Sequence, residues 1–167
     1  AAYTGMGKSF SVLADGSENS NSRPRLDRSL LKSRNFNRST VACQNGIVCA
    51  SQPLAAMVGI DILKSGGNCI DAGIATNAML GLTEPASCGI GGDLFAIVWI
   101  EKDKKLYGLN ASGRAPYDWN LKRASNLGLT SIPGQSPLSW SVPGCVRGWG
   151  ELNRRFGKLK LGTCHEP

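Results

Sequence analysis

Helices, then a hairpin, then helices again: the apolar pattern of this 167-residue chain predicts an α/β or α+β domain. Apolar residues recur at one-turn spacing over residues 54–63 and again over 70–82, as amphipathic helices require. Leu94-Phe-Ala-Ile-Val-Trp-Ile100 is a continuous apolar run rich in β-formers, followed by a charged turn and a second extended stretch. Between them lies Glu84-Pro-Ala-Ser-Cys-Gly-Ile-Gly-Gly-Asp93. Its Pro85, Gly89, Gly91 and Gly92 stop a helix and allow a tight loop whose backbone approaches something closely.

The elements follow in order. Residues 1–38 are rich in Ser, Asn and Arg, with seven basic and three acidic residues, a net +4 of the total +7. Such composition buries too little apolar surface to offset ordering and predicts a disordered basic leader. Its charges are dispersed and lack interleaved aromatics, which argues against a nucleic-acid strip. Gly5-Met-Gly-Lys-Ser9 lacks the spacing of a phosphate loop. Gly46-Ile-Val-Cys-Ala-Ser51 reads as a short buried strand, with Ser51 capping the next helix and Pro53 in its first turn. Leu54, Ala55, Val58, Ile62 and Leu63 share that helix's apolar face, and Gly66-Gly67 ends it. Asn68 caps a second helix carrying Ile70, Ile74, Ala78 and Leu82, whose small residues admit close neighbours, and Pro85 closes it. After the strand 94–100, Glu101-Lys-Asp-Lys-Lys105 is the polar tip of a hairpin returning through Leu106–Asn110. Residues 118–126 read as a short helix and 139–142 as an extended piece. Residues 144–156 read as a helix with Val146, Trp149, Leu152 and Phe156 near one face, ended by Gly157.

Four motifs stand in a telling order: Ser51-Gln-Pro-Leu-Ala-Ala, Gly66-Gly-Asn-Cys-Ile-Asp-Ala72, Glu84-Pro-Ala-Ser-Cys-Gly-Ile-Gly-Gly92 and Val142-Pro-Gly-Cys-Val-Arg-Gly148. In this order and spacing the chain resembles the γ-glutamyltransferase family, also called γ-glutamyltranspeptidases or glutathione hydrolases. The resemblance runs from about Gly46 to Leu159. Leu109-Asn-Ala-Ser-Gly-Arg-Ala-Pro116 looks like the acylase-like bacterial branch. The resemblance implies an α+β fold, part of the large subunit of an N-terminal-nucleophile (αββα) hydrolase, with helices packed on a β hairpin or sheet. It divides the chain into the leader 1–38, a family segment 39–161 and a non-family tail 162–167.

The resemblance also implies covalent chemistry without a cofactor. A Thr at the start of a second, self-cleaved subunit attacks the γ-glutamyl amide, activated by its own amine. A backbone oxyanion hole stabilises the intermediate, and water or an acceptor amine takes the acyl group. Neither the Thr nor the oxyanion hole is assigned within this chain, so the chain alone is expected to be inactive and to need the C-terminal part as partner. Arg114, directly ahead of Ala115-Pro116, is the substrate-binding candidate, since a guanidinium grips a carboxylate bidentately. In other members the Arg stands a few residues earlier, at about the position of Ser112. The alternative reading is a noncatalytic homologue that binds a partner or acts as a scaffold. A nucleotide-binding reading of the glycine loop fares poorly, because the loop opens a strand where phosphate binding wants a helix N-terminus.

Cys43, Cys49, Cys69, Cys88, Cys145 and Cys164 are dispersed with no C-x-x-C, and His165 is the lone histidine, so no zinc site is expected. No histidine near Cys88 in sequence would activate it as a nucleophile. The sequons at Asn37 and Asn110 are read as chance. The longest apolar run, about seven residues, is far below the ~20 that span a membrane. With no apolar leader segment and unpaired-looking cysteines, a cytoplasmic location is the expectation.

Overall fold

In the computed structural model, which describes residues 10–12 and 40–166, one helical layer covers one face of a three-stranded antiparallel sheet. The strands are β1 (Phe10–Val12), β2 (Leu94–Ile100) and β3 (Lys105–Ala111), in the order β1-β3-β2. The helices are α1 (Pro53–Lys64), α2 (Cys69–Thr83), α3 (Leu121–Asn126) and α4 (Cys145–Phe156). The α+β expectation holds in this mixed arrangement.

The β2–β3 hairpin forms where the apolar run and charged tip place it, with Leu94 opposite Ala111 and Ile100 opposite Lys105. Lys104 takes a positive φ of 51° in the turn and pairs with Glu101. Side-chain alternation then divides the faces. Leu94, Ala96, Val98 and Ile100 join Tyr107, Leu109 and Ala111 in or against the core, while Phe95, Ile97 and Trp99 are 65%, 75% and 52% exposed on the other side.

Helices α1 and α2 pack through small residues: Ala55, Ala72 and Ala75 are buried, and a Cβ on Gly59 would lie 2.3 Å from Thr76 Oγ1. Asn68 caps α2 as the sequence predicts. Its side chain accepts from Ile70 and Asp71 N–H, while Asp71 accepts from Asn68 N–H at 3.0 Å, a reciprocal capping box. The Asp71 carboxylate, fully buried, also accepts from the N–H groups of Lys158 and Leu159 at 3.0 and 3.1 Å and from Asn153 Nδ2 at 3.1 Å. One carboxylate thus binds the start of α2 to the end of α4. At the middle of α2, Asn77 Oδ1 accepts from Trp149 Nε1 at 2.9 Å.

Several expectations need correction. Residues 46–51 form no strand, and only Val48 of this stretch packs against the core; no described strand lies beside them to complete a ladder. The N-cap of α1 is Gln52, not Ser51, and it makes no side-chain cap. Its Nε2 donates instead to Glu84 Oε1 at 3.2 Å, tying the start of α1 to the end of α2. Val146 points outward, 49% exposed; Cys145 and Gly148 take the buried side of α4 with Trp149 and Leu152. A 3-10 turn at Pro137–Ser139 overlaps the piece read as extended. Within the stretch read as a disordered leader, Phe10–Val12 pairs antiparallel with β3, Phe10 opposite Leu109; an open strand edge recruits such segments. The remaining residues of 1–38 lie outside the described residues. The tail read as non-family is part of the packed unit: Thr163–His165 form a 3-10 turn and Cys164 is 1% exposed, in the core. Among the described residues no helix is long and apolar enough to cross a membrane.

Candidate functional site

The end of β3, the loop that follows it, the Val142–Gly144 segment and the first two turns of α4 converge on a cavity of about 310 Å³. Three backbones meet here at distances that exclude side chains. A Cβ on Gly113 would fall 1.5 Å from the Val142 carbonyl oxygen, and one on Gly144 would fall 2.1 Å from that of Ala111. One Gly148 Cβ contact, 2.6 Å from Leu94, shows how closely α4 lies on the sheet.

The glycine loop builds this site from behind. The Gly92 carbonyl accepts from Gly144 N–H at 3.1 Å and Cys145 N–H at 3.0 Å, fixing the start of α4. Asp93 Oδ1 accepts from Gly113 N–H and from the Ser141 hydroxyl, both at 3.0 Å. Asp93 therefore clamps together the two segments that flank the cavity. The bond from Gly113 N–H, with those from Ser141 and Ser112, holds its carboxyl below the usual carboxylate value against a smaller opposing effect of desolvation. The Arg114 carbonyl accepts from Val142 N–H at 2.9 Å, joining the same two segments.

Arg114, the residue singled out from the sequence, lines this cavity, and so does Ser112. Gly89–Asp93 does not line it; Gly92 and Asp93 support it through the bonds just described. Two lining residues were missed by sequence reasoning. Arg147 and Glu151, one turn apart on α4, face the same space. The signal was present in Val142-Pro-Gly-Cys-Val-Arg-Gly148, where Arg147 sits inside a motif otherwise read as structural. Glu151 is drawn to Arg154, with Oε2 2.8 Å from Nη2.

Cysteine chemistry gains no geometry. Burial, with Cys88 and Asp93 adding to it, pushes the Cys145 thiol up, which keeps it protonated and non-nucleophilic. The His165 ring lies 5.3 Å from that of Trp149, its Nδ1 2.8 Å from the Leu161 carbonyl oxygen, and no hydrogen bond joins it to Cys88 among the described residues. No described group of three His, Cys, Asp or Glu side chains is placed to hold a metal.

Known proteins resemble the chain in sequence and in fold. Residues 55–167 match the gamma-glutamyltranspeptidase family, so the match continues through the segment read as a non-family tail. The chain is 42% identical over 128 residues to a glutathione hydrolase proenzyme of Bacillus subtilis, covering 74% of this chain and 22% of that protein. The cephalosporin acylase from Bacillus halodurans superposes with a TM-score of 0.65 at 40% identity, covering 80% of this chain and 26% of that one. The Helicobacter pylori gamma-glutamyltranspeptidase superposes with a TM-score of 0.66 at 28% identity, covering 75% and 37%. The chain spans only a fifth to a quarter of the length of the curated relatives it matches, 20% to 25% for the first three. With four motifs in order, the family match over two thirds of the sequence and the shared fold, the chain belongs to the gamma-glutamyltranspeptidase family.

Proposed function

We propose that this chain forms the N-terminal part of the large subunit of an enzyme that cleaves or transfers γ-glutamyl, or related acyl, amides. A Thr at the head of a second subunit supplies the nucleophile, and Arg114 holds the donor's carboxylate. The carrying observation is that Arg114 lines a cavity whose two flanking segments are clamped by Asp93. Clamping both walls of a cavity limits what ligand binding must immobilise, and preorganisation is what acyl transfer needs from the part of the site that does no chemistry. The 40% identity to a cephalosporin acylase supports keeping acyl donors other than γ-glutamyl within the proposal. Six free cysteines support a reducing compartment as the site of action.

The test uses the enzyme assembled with its nucleophile-bearing subunit. Arg114→Ala should raise KM for γ-glutamyl donors by about 30-fold or more, the effect of about 2 kcal/mol for truncating one partner of a charged pair. Acyl donors without the α-carboxylate should change little. Arg114→Lys should restore part of the affinity, because an ammonium lacks the planar fork. Equal small effects on both donor types would refute the assignment and point to Ser112, which lines the same cavity.

A further inference from the structure

Asn45-Gly46 is the one Asn-Gly pair of the sequence, and it opens the stretch in which the expected strand does not form. The chain bends at Gln44 and Asn45, and residues 41–47 are exposed. Among the described residues the Gly46 N–H donates no hydrogen bond, and the Asn45 side chain has no partner. In a ladder or a helix that N–H would be tied to a carbonyl. Here it is free, and glycine has no Cβ to obstruct the approach of the preceding side chain to its nitrogen. The other described asparagines are placed differently. Asn68 and Asn120 cap α2 and α3, Asn77 accepts from Trp149, and Asn110 accepts from Ser112 N–H. Asn153 donates to Asp71 and to the Leu159 carbonyl. Asn126 ends α3, and the N–H of the Leu127 that follows it is bonded to the Arg123 and Ala124 carbonyls.

We propose that Asn45-Gly46 is a modification site, where the folded chain converts asparagine to isoaspartate and so becomes a substrate for enzymes that methylate the α-carboxylate of isoaspartyl residues. The Gly46 nitrogen loses its proton to hydroxide and bonds to Asn45 Cγ. The bond from Cγ to the side-chain nitrogen breaks, and that nitrogen takes a proton from water and leaves as ammonia. Water then opens the five-membered imide at either carbonyl, giving aspartate or isoaspartate, with no further reactant. Either product adds a negative charge. In isoaspartate the main chain also runs through the side chain and is one methylene longer. That length is inserted just before two contacts with α1. A Cβ on Gly46 would lie 3.3 Å from Leu63 Cδ1, and Val48 Cγ1 lies 2.9 Å from the Cβ position of Gly59.

The experiment incubates the 167-residue chain, reduced, at neutral and mildly alkaline pH beside a synthetic peptide of residues 39–52. Cleavage after Arg38 and before Asp61 releases residues 39–60, in which Asn45 is the one asparagine. Mass spectrometry of that fragment reads loss of the amide. Methyl transfer from S-adenosylmethionine by an isoaspartyl carboxyl methyltransferase, counted on the same fragment, reads isoaspartate. Amide loss in the folded chain should run within about tenfold of the peptide rate, because the fold ties down neither reacting group. It should quicken with pH, since the attacking nitrogen must lose its proton. Gly46→Ala should slow it at least about tenfold in chain and peptide alike, through the obstruction a Cβ adds; circular dichroism confirms that this variant is folded, and the peptide result does not depend on folding. Slower loss than that in the folded chain would show that the fold protects the pair and would overturn the proposal. Amide loss with no methyl-accepting product on residues 39–60 would overturn it as well.

Discussion

Replacing Asp71 by Asn removes one charge, keeps the shape of the side chain and should destabilise the chain by a measurable margin. Oδ2 accepts from three backbone N–H groups, those of Asn68, Lys158 and Leu159, at 3.0 to 3.1 Å. Oδ1 accepts from Asn153 Nδ2 at 3.1 Å and has the Cys164 thiol 3.9 Å away. An amide can offer an acceptor on only one side. With its NH2 at the Oδ2 position, three backbone donors face a donor; turned over, only Asn153 Nδ2 does, since the Lys158 N–H that also reaches Oδ1 keeps its acceptor at Oδ2. The amide takes the second orientation, and one buried donor left without an acceptor costs about 1–3 kcal/mol, so the loss should be about 2 kcal/mol. That is a substantial share of the roughly 5–15 kcal/mol that stabilises a domain. Urea unfolding followed by Trp fluorescence measures it, and the midpoint should fall by roughly 1 M at an m-value of about 2 kcal/mol/M. Asn68→Ala, which deletes only the cap side chain, should cost about 1 kcal/mol for the cap itself and more for the bond from its Nδ2 to the Phe156 carbonyl. A midpoint for Asp71→Asn within about 0.3 M of the unaltered chain would refute the reasoning, since it would mean that water satisfies these donors as well as the carboxylate does.

Three other outcomes follow from the same geometry. Asp93 is held below its ordinary value by bonds present only in the folded state, so its contribution is full above the unfolded carboxylate value near 3.9 and is lost as pH falls through the lower folded value; an acid titration of folding should lose one such step in Asp93→Asn, and an unchanged profile would contradict the clamp. Gly113→Ala would drive a Cβ to 1.5 Å from the Val142 carbonyl oxygen, and strain of about 1–3 kcal/mol or more, with loss of carboxylate binding, should show in melting and titration, whereas a stable, binding-competent variant would mean that the two segments part easily. Phe95, Ile97 and Trp99 give the sheet an exposed apolar face, so the chain by itself should bind a hydrophobic dye and scatter light as concentration rises, and Ile97→Lys should reduce both; a monodisperse, dye-free chain would count against this.

What the sequence made legible was local. The hairpin announces itself because seven apolar residues followed by a charged tip satisfy strand and turn rules within a dozen positions. The start of α2 is equally local, since Asn68 and Asp71 answer each other across three residues. The failures share a different cause. Residues 46–51 have the composition of a strand, yet a strand needs a neighbour, and none is described beside them. Asp71 reads as half of a cap, while its partners at Asn153, Lys158 and Leu159 stand 82 to 88 positions away. Cys164 stands in the stretch read as a non-family tail, and only the packed fold shows its place in the core.

The candidate site shows the same division with a functional consequence. The loop of Gly89, Gly91 and Gly92 reads as a backbone that approaches something closely, and in the fold the Gly92 carbonyl holds the start of α4, while Gly113 lies against Val142 and Gly144 against Ala111. Substitution at these positions would act on the cavity by moving its walls, not by removing a contact to substrate. The polar side chains that the walls present include those of Ser112, Arg114, Arg147 and Glu151. Altering such a side chain would change the chemistry of the cavity without disturbing the bonds that shape it, which is how one fold can host more than one function. Arg114 stands beside Ala115-Pro116, where the resemblance singles it out; Arg147 stands in a motif too, but its place in the lining depends on how Gly148 seats α4 against Leu94.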